Sequence, residues 1–459
     1  MFKKVLVANR GEIAVRIIRS LKELGIKTVA IYSQADRESL HVQLADEAVC
    51  VGPNRAQDSY LNMRNILSAA VGTGAQAIHP GYGFLSENSR FVEMCEDCGI
   101  TFIGPKSKTI DLMGNKAHAR QQMKANGVPV IPGSYGYVND ASDAKQVAAK
   151  IGYPVLLKAA AGGGGKGIRR VDNQAELEKA FSEAQQEAKN AFGDQRMYLE
   201  KIMENVKHIE IQILRDQQGN AIYFPERDCS LQRGKQKMIE ESPCEAVTAK
   251  QREYLGQIAL KAAAAIDYVN TGTLEFLMDQ QHNFYFMEMN TRIQVEHTVS
   301  EMVTGIDIVK EQVKIAAGLP LAYRQQDVNC RGHAIECRIN AEDPKQDFLP
   351  AVGTVNYLYF PVGNLGMRID SALYAGAQVT PYYDSMVAKV IALGEDRPAA
   401  IRKLKRLLNE MIIDGLQTNQ KFQQALLNDS SVIAGDFTTE YLEKVFLPKW
   451  NKTCGYKSS

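Results

Sequence analysis

The stretch TGTLEFLMDQQHNFYFMEMNTRIQVEH, residues 271–297, predicts the part of the fold on which the rest of the chain depends. Two apolar runs, LEFLM and FYFMEM, flank the polar residues 279–283, a pattern typical of a β-hairpin. Beyond the turn every second residue is polar: Glu288, Asn290, Arg292, Gln294 and Glu296. Because side chains alternate between the two faces of a strand, these five are expected on one face.

This polar face has the composition of a metal and anion site. If the hairpin loop has an even number of residues, Glu275 lies opposite Glu288. Two facing carboxylates about 5 Å apart repel each other unless a cation lies between them. Glutamate and asparagine supply the oxygen ligands that Mg²⁺ takes when it also holds phosphates. The alternative is an edge strand whose polar face is only solvated.

The same residues predict a bend after Asn290. In a straight strand Glu296 would lie roughly 26 Å from Glu288, too far to act beside a metal held there. A bend would bring Arg292, whose planar fork matches a carboxylate-like anion, and Glu296 around one small anion. Such a site tends to raise the pKa of the acid, which suits a base working near neutral pH. The alternative is a structural salt bridge between Glu296 and Arg292 or a lysine.

Composition excludes several classes of protein. The 459 residues are 45% hydrophobic and 23% charged, which is typical of a globular chain of several domains, and we expect three lobes. A net charge of +1 gives no general field for nucleic acid or an anionic membrane. The chain has no apolar run long enough to span a bilayer, and the start MFKKVLVANRGE is expected as a buried strand rather than a signal peptide. We therefore expect a cytoplasmic protein whose eight cysteines are free thiols, with no nucleic-acid or membrane partner.

The N-terminal region predicts a parallel sheet with helices. KVLVAN, EIAVRIIRSLKEL and KTVAIYS alternate as strand, helix and strand, and AQAIHPGYGFLSEN and ITFIGP each begin with a further strand. Ligands of such sheets bind at the carboxyl ends of the strands, which makes Tyr82 and Gly83 candidate contacts. The alternative is that residues 80–83 form only a tight turn.

A glycine-rich hairpin is expected in GYPVLLKAAAGGGGKGIRRV, residues 152–171. Residues 162–167 match G-x-G-x-x-G, but a strand rather than a helix follows, so a dinucleotide fingerprint is not supported. Four glycines between strands suit a mobile flap whose backbone N–H groups close over phosphates, with Lys158 aimed at the same groups. The alternative is a hairpin tip without a ligand.

Three later segments complete the inventory. HIEIQILRD alternates and places His208, Glu210 and Gln212 on one face. ERDCSLQRGKQKMIEESP is interpreted as a basic loop, either solvated or an anion clamp. HAIECRINAED carries Glu336 and Arg338 on one face, and the polar tail after Leu447 is expected to be disordered.

Six motifs in this order resemble biotin carboxylase, the ATP-grasp subunit of biotin-dependent carboxylases. They are ANRGEIA, HPGYGFLSEN, KAAAGGGGKG, ERDCSLQR, EMNTRIQVEH and ECRINAED, and the likeness runs from residue 1 to about residue 446. The resemblance implies an α/β protein with the ATP-grasp fold. It would have an N-terminal Rossmann-like (pre-ATP-grasp) domain at 1–113, an ATP-grasp domain at 114–330 with a mobile lid at about 131–204, a C-terminal α+β domain at 331–446, and a tail at 447–459.

The resemblance also implies the sites. The residues for ATP would be Lys116, Lys158, Gly164, Gly165, Glu200, Lys201, Ile202, Met203, His208, Gln232, Lys235 and Leu277. Two Mg²⁺ or Mn²⁺ ions would be held by Glu275, Glu288 and Asn290, and bicarbonate by Lys237, Arg292, Gln294 and Val295. Biotin would meet Tyr82, Gly83 and Arg338. The catalytic residues would be Glu296 as base together with Arg292, Arg338 and Lys237.

The implied reaction carboxylates biotin that is borne on a carrier protein and not attached to this chain. ATP and bicarbonate would give carboxyphosphate, then carboxybiotin, ADP and phosphate. This is the first half-reaction of acetyl-CoA carboxylase, which leads to malonyl-CoA and fatty acids. The expected partners are a biotin carboxyl carrier protein, carboxyltransferase subunits and a second copy of this chain, because Arg19 and Glu23 match the family's dimer positions.

Four positions depart from the family pattern, and two other functions stay open. Lys166, Lys235, Thr298 and Thr439 replace the arginine, histidine, proline and apolar residue that are usual there. One alternative is another ATP-grasp ligase, such as a carbamoyl-phosphate or purine-pathway enzyme. The other is a nucleotide-binding regulatory subunit without catalysis, which the intact acidic and basic residues of the predicted site argue against.

Overall fold

The computed structural model describes residues 1–160 and 167–453. Its N-terminal lobe alternates strands and helices as predicted: β1 Lys4–Val7, α1 Gly11–Glu23, β2 Lys27–Ser33, α2 Leu40–Leu44, β3 Glu47–Gly52, α3 Met63–Thr73, β4 Ala77–His79, α4 Ser89–Asp97, β5 Thr101–Phe102 and α5 Ser107–Gly114. The strands are parallel in the order β3-β2-β1-β4-β5. Their central members are apolar throughout because helices cover both faces of the sheet.

The carboxyl ends of β1 and β4 meet at one edge of this sheet. The side-chain amide of Asn9 donates hydrogen bonds of 2.7 Å to the carbonyl oxygens of Pro80 and Tyr82. Gly81 lies beneath this amide at φ +63°, where a Cβ atom would meet Asn9 at 3.0 Å. The loop that carries Tyr82 and Gly83 is therefore fixed to the end of β1.

A small antiparallel sheet with two covering helices follows. After α6 Lys116–Ala125, which packs against the strand Phe284–Asn290 described below, its elements are α7 Ala141–Ile151, β6 Val155–Ala159, β7 Ile168–Val171, α8 Gln174–Phe192 and β8 Met197–Lys201, with the strand order β7-β6-β8. The prediction that strands flank the glycine-rich segment is confirmed. Gly164, Gly165 and Lys166 lie outside the described residues, and the predicted lid motion stays a prediction.

One long antiparallel sheet joins the central and C-terminal parts of the chain. Its strands run β14-β13-β9-β11-β12-β15-β22-β20, and β10 pairs with β9. They are β9 Lys207–Arg215, β10 Ala221–Tyr223, β11 Arg227–Arg233, β12 Gln236–Ser242, β13 Asn270–Met278, β14 Phe284–Asn290, β15 His333–Asn340, β20 Met367–Ser371 and β22 Met386–Gly394. The short strands are β16 Glu342–Asp343, β17 Leu349–Pro350, β18 Gly353–Thr354, β19 Tyr357–Tyr359, β21 Gln378–Val379 and β23 Ile412–Asp414.

Helices pack against this sheet through separate apolar cores. They are α9 Ala249–Ala265, α10 His297–Thr304, α11 Ile308–Ala316, α12 Arg397–Glu410, α13 Gln420–Asn428, α14 Ser430–Ala434 and α15 Leu447–Thr453. Among the described residues, no helix combines the length and the apolar character needed to cross a bilayer. The predicted domain boundaries stay a prediction.

The hairpin of β13 and β14 places Glu275 opposite Glu288, as expected. The loop length differs from the even number that was assumed. Met278 pairs with Phe284, so the loop of residues 279–283 has an odd number of residues. A β-bulge beside Glu275 adds one residue to β14 and restores the register. Strand β14 ends at Asn290, where the predicted bend occurs.

Two sequence interpretations are wrong. The segment ERDCSLQRGKQKMIEESP is not a loop but contains the hairpin of β11 and β12, joined by Gly234 and Lys235 at φ +55° and +67°. Two consecutive positive φ angles are typical of a two-residue hairpin turn whose twist matches the strands. The tail is not disordered at its start, since α15 covers residues 447–453 and the ring of Trp450 packs against Phe422 and Phe446.

This packing predicts that α15 stabilises the C-terminal lobe. The ring centroid of Trp450 lies 5.5 Å from that of Phe422 and 6.4 Å from that of Phe446. A chain that ends at Phe446 should lose roughly 1–3 kcal/mol of unfolding free energy, measured by denaturant titration with circular dichroism. The control is a chain that ends at Thr453, which should match the full-length protein. Equal stability of both truncated chains would contradict the role of α15.

Candidate active site

Three buried carboxylates surround the ammonium group of Lys237. Its Nζ lies 2.6 Å from Glu296 Oε1 and 3.3 Å from Glu275 Oε1, and it also donates a short hydrogen bond to Glu210. Glu210 on β9 and Glu275 on β13 are direct cross-strand partners, whereas Lys237 reaches them from β12. The alternation of three strands thus brings these side chains to one face of the sheet.

A buried arginine lies on the far side of Glu210. Arg227 has no exposed surface and donates from Nε and Nη2 to Glu210 Oε2 at 3.0 and 2.9 Å. It also donates to Gln212 Oε1 at 3.1 Å and to the side-chain oxygen of Gln294. The amide of Gln294 is therefore fixed so that its Nε2 donates to Glu275 Oε1 at 2.7 Å.

The cations determine how these acids ionise. Burial by itself raises the pKa of Glu210, but Lys237 and Arg227 outweigh it and hold that pKa well below its usual range. Burial also acts to raise the pKa of Glu296, yet Lys237 and Arg338 lower it overall. The raised pKa expected for Glu296 applies to a carboxylate beside a bound anion and stays a prediction; in this structure Lys237 and Arg338 pair with the carboxylate. A lowered pKa favours the ionised carboxylate, which is the form that can accept a proton.

Each acid of the cross-strand pair Glu275 and Glu288 has a nitrogen partner. Glu288 Oε2 lies 2.8 Å from Lys116 Nζ, and Glu275 Oε2 lies 3.1 Å from His208 Nε2. Asn290 Nδ2 donates to Glu275 Oε1 at 2.7 Å. Burial acts to lower the pKa of His208, but Glu275 and Glu210 raise it to about 9, so a protonated histidine faces these acids. The oxygen donors that could hold a divalent cation are therefore neutralised by amines and an imidazolium.

Arg292 makes a contact with the N-terminal lobe that the sequence did not predict. Its Nε donates to Glu87 Oε2 at 2.9 Å, and its Nη2 donates to Asn290 Oδ1 at 2.9 Å. Glu87 also accepts from the backbone N–H of Thr291 at 3.0 Å. The N-terminal lobe thus binds Arg292, the residue that was predicted to bind an anion.

Arg338 completes the acid–base cluster from the C-terminal side. It donates from Nη2 to Glu296 Oε2 at 3.0 Å and from Nε to Glu240 Oε1 at 2.5 Å. Arg338 lies on β15 and Glu240 on β12, which are neighbouring strands. The same arginine therefore binds the predicted base and a second carboxylate that the sequence reasoning missed.

A buried ion pair between Glu12 and Lys389 connects Tyr82 with Val295. The hydroxyl of Tyr82 donates to Glu12, whose Oε1 lies 3.2 Å from Lys389 Nζ. Lys389 in turn donates to the carbonyl oxygen of Val295 at 2.8 Å. The pair connects α1, the loop after β4, the loop before α10 and β22. The candidate biotin contact Tyr82 and the candidate bicarbonate contact Val295 are therefore held by the same ion pair.

The predicted nucleotide residues lie at the end of the small sheet and beside the β11–β12 hairpin. Lys158 pairs with Glu200 across β6 and β8. Lys201 donates to the carbonyl oxygens of Gly152 at 3.0 Å and Tyr153 at 2.7 Å, which fixes the strand end before Ile202 and Met203.

The other predicted nucleotide contacts lie on or near the long sheet. Leu277 lies opposite His208 in the pairing of β13 with β9, Gln232 is near the end of β11, and Lys235 is exposed at the turn. The carboxylate of Glu443 accepts from the backbone N–H of Gly234 at 2.6 Å, which holds this turn against the C-terminal lobe.

The structure thus brings together most of the predicted metal, bicarbonate and catalytic side chains and adds partners that were missed. The missed residues are Glu12, Glu87, Glu210, Arg227, Glu240 and Lys389. The alternation in HIEIQILRD, which places Glu210 between His208 and Gln212, was a usable signal for Glu210. The others have no local pattern that marks them.

Comparison with known families covers almost the whole chain. Residues 1–110 match the N-terminal domain of biotin carboxylase, residues 115–324 match the ATP binding domain of the carbamoyl-phosphate synthase L chain, and residues 336–444 match the C-terminal domain of biotin carboxylase. The chain belongs to the biotin carboxylase family. The resemblance inferred from six motifs and the α/β ATP-grasp fold are confirmed.

Relatives from this family align over nearly their full lengths. Biotin carboxylase 1 of Bacillus subtilis is 53% identical over 444 residues, which cover 96% of this chain and 98% of that protein. The 2-oxoglutarate carboxylase small subunit of Hydrogenobacter thermophilus is 51% identical, with coverage of 97% and 94%. Relatives of similar identity therefore carry different carboxylase names.

Solved structures of the family superpose closely. The biotin carboxylase–β,γ-ATP complex from Campylobacter jejuni gives a TM-score of 0.93 at 48% identity, covering 97% of this chain and 99% of that one. The biotin carboxylase domain dimer of the Hydrogenobacter thermophilus 2-oxoglutarate carboxylase, solved with MgADP, ADP and bicarbonate, gives 0.92 at 49% identity and covers 100% of both chains.

The buried contacts of Arg227 predict a large effect on stability. Replacing Arg227 with Met removes the guanidinium group that faces Glu210 and leaves that carboxylate with one cation fewer in the protein interior. We expect the unfolding free energy to fall by about 3–5 kcal/mol, measured by chemical denaturation. The matched control is Arg90→Met, which breaks an exposed pair with Glu93 and should change stability little. Similar small losses in both variants would contradict the importance of the buried pair.

Proposed function

We propose that the protein carboxylates biotin with bicarbonate at the expense of ATP. The observation that carries this proposal is the convergence of Lys237, Arg338 and Glu296 beside the acid pair Glu275 and Glu288, in a chain of the biotin carboxylase family. The site has cations that can hold a small anion, a carboxylate that can take its proton and acids that can hold metals. These groups suit the joining of bicarbonate to a phosphoryl group.

The donor set fits one or two divalent cations. Glu275 and Glu288 oppose each other across the hairpin, Asn290 follows on the same strand, and Lys116 and His208 supply the positive charge that metals would bring. We propose that these three oxygen donors hold Mg²⁺ or Mn²⁺, which would neutralise the phosphates of ATP. We propose Lys116, Lys158 and the other nucleotide residues predicted above, including Gly164 and Gly165, as the ATP site.

The chain's own residues then act in sequence. Lys237 and Arg292, with Gln294 and the backbone of Val295, orient bicarbonate, and Glu296 accepts its proton as a bicarbonate oxygen attacks the γ-phosphorus and the bond to ADP breaks. Carboxyphosphate decays to CO₂ and phosphate, and phosphate takes the N1 proton of biotin. Arg338 stabilises the negative charge that develops on the biotin ureido oxygen, with Tyr82 and Gly83 beside the ring. The resulting enolate attacks CO₂.

The finer assignment concerns the partners and the final acceptor. We propose carrier-borne biotin as substrate, a carboxyltransferase that uses acetyl-CoA in cytoplasmic malonyl-CoA and fatty acid synthesis, and a homodimer that includes Arg19 and Glu23. The dimer in the related Hydrogenobacter structure supports the last point. The relatives named for 2-oxoglutarate and pyruvate carboxylases define the competing acceptors.

An isotope assay tests the function. The purified chain is incubated with labelled bicarbonate, ATP, Mg²⁺ and free biotin, and label should appear in carboxybiotin only when all four are present. A different ATP-grasp ligase would cleave ATP without dependence on biotin, and a regulatory subunit would not turn over. Adding the carrier and carboxyltransferase with acetyl-CoA, 2-oxoglutarate or pyruvate then identifies the acceptor.

Glu296→Gln tests the proposed base. The amide keeps the shape of the side chain but cannot take the bicarbonate proton, so bicarbonate-dependent ATP cleavage should fall by roughly 10²-fold or more. Nucleotide affinity, measured by calorimetry with ADP, should stay near that of the parent protein. Normal turnover in a folded variant would show that Glu296 is structural.

Glu288→Gln tests the proposed metal site. Removing one negative charge should weaken Mg²⁺ binding and lower turnover, and raising the Mg²⁺ concentration should restore part of the loss. Glu93→Gln serves as a control, because Glu93 is a surface residue in α4 that pairs with Arg90. Parent-level turnover at low Mg²⁺ in the Glu288 variant would contradict the assignment.

A further inference from the structure

Two buried glutamates lie directly opposite each other beside Arg338. Glu240 on β12 and Glu336 on β15 are cross-strand partners, and neither side chain has exposed surface. Side chains opposite each other on antiparallel strands have Cβ atoms about 4.5–5.5 Å apart. Two carboxylates so placed in the protein interior cannot both be ionised without a large cost in free energy.

Neighbouring elements supply donors to only one oxygen of each carboxyl group. Arg338 donates to Glu240 Oε1, and the hydroxyl of Thr298 on α10 donates to Glu336 Oε2. Within the described residues, Glu240 Oε2 and Glu336 Oε1 are buried and have no hydrogen-bond partner. Each acid therefore keeps one oxygen on which a proton can reside.

The surrounding charges do not compensate two ionised acids. The charged and titratable groups that interact with the pair come from several elements: Cys229 of β11, Lys237 of β12, Cys337 and Arg338 of β15, Lys389 of β22, Glu296 of the loop before α10, and Tyr82 of the loop after β4. Lys237 and Arg338 also bind Glu296, and Lys389 also binds Glu12. Burial raises the pKa of both Glu240 and Glu336, and the cations offset this only in part.

We propose that Glu240 and Glu336 share one proton in the working enzyme and act as positioning residues for Arg338. The inference rests on the proposed role of Arg338 toward biotin. With the proton in place, Glu240 binds the guanidinium group and Glu336 stays neutral. Loss of that proton to solvent at alkaline pH adds a negative charge beside Arg338, which holds the arginine more tightly in the protein and weakens its stabilisation of negative charge on biotin.

The shared proton has a direct spectroscopic signature. Infrared spectra of the substrate-free protein at neutral pH should show the carbonyl stretch of a protonated carboxylic acid, and Glu336→Gln should remove it. The control Glu311→Gln changes another buried glutamate, which pairs with Lys314 on α11, and should keep the band. Absence of the band from the parent protein, or its persistence in Glu336→Gln, would overturn the proposal. This readout requires no turnover, so it stands apart from a failure of the proposed function.

The pH dependence of biotin carboxylation tests the consequence. The kcat/KM for free biotin should fall at alkaline pH in the parent protein, and in Glu336→Gln this fall should move upward by at least about one pH unit. The bicarbonate-dependent ATP cleavage measured without biotin should keep the parent's pH profile. Thr298→Val provides a second variant of similar shape: removing the donor to Glu336 strengthens proton binding and should also move the fall to higher pH. An unchanged alkaline limb in both variants would overturn the role of the pair.

Discussion

The ammonium group of Lys237, enclosed by the carboxylates of Glu210, Glu275 and Glu296, is the interaction on which this site depends. Moving three carboxylates out of water is unfavourable unless cations and hydrogen bonds replace the lost hydration. Lys237 provides that replacement from β12, and Arg227 provides it from behind Glu210. The register of β9, β13 and β12 is therefore stabilised by the pairing of these cations with the three carboxylates as well as by the apolar core beneath the sheet.

Charged side chains already pair with the groups that are proposed to bind ligands. Lys116 and His208 pair with Glu288 and Glu275, the acids proposed to hold metal. Glu87 accepts a hydrogen bond from Arg292, which is proposed to hold bicarbonate. A bound ligand would replace one charged partner of each side chain with another. The charged side chains are therefore already paired before a ligand binds, which keeps the site folded and lowers the cost of reorganisation. The contact between Arg292 and Glu87 also makes the N-terminal lobe a participant in anion binding.

The sequence allowed prediction of the elements with strong periodicity and of the residues that share one strand. The hairpin of residues 271–297, the parallel N-terminal sheet and the polar face of β14 are of this kind. The opposition of Glu275 and Glu288 was predicted correctly, although a bulge rather than an even loop produces it. The β11–β12 hairpin was missed because its basic residues suggested a solvated loop, and a turn as short as Gly234-Lys235 leaves little signal. Partners such as Glu87 and Glu240 could not be found from local patterns, since they lie 205 and 98 residues from the arginines they bind.

A crystal structure with Mg²⁺, a non-hydrolysable ATP analogue and bicarbonate tests the central claim most directly. The account predicts an anion within hydrogen-bonding distance of Lys237 and Arg292 and beside Glu296. It also predicts metal between Glu275 and Glu288, and loss of the present contact between Lys116 and Glu288. An anion bound elsewhere, with the three carboxylates still closed around Lys237 and no metal on the acid pair, would contradict the account.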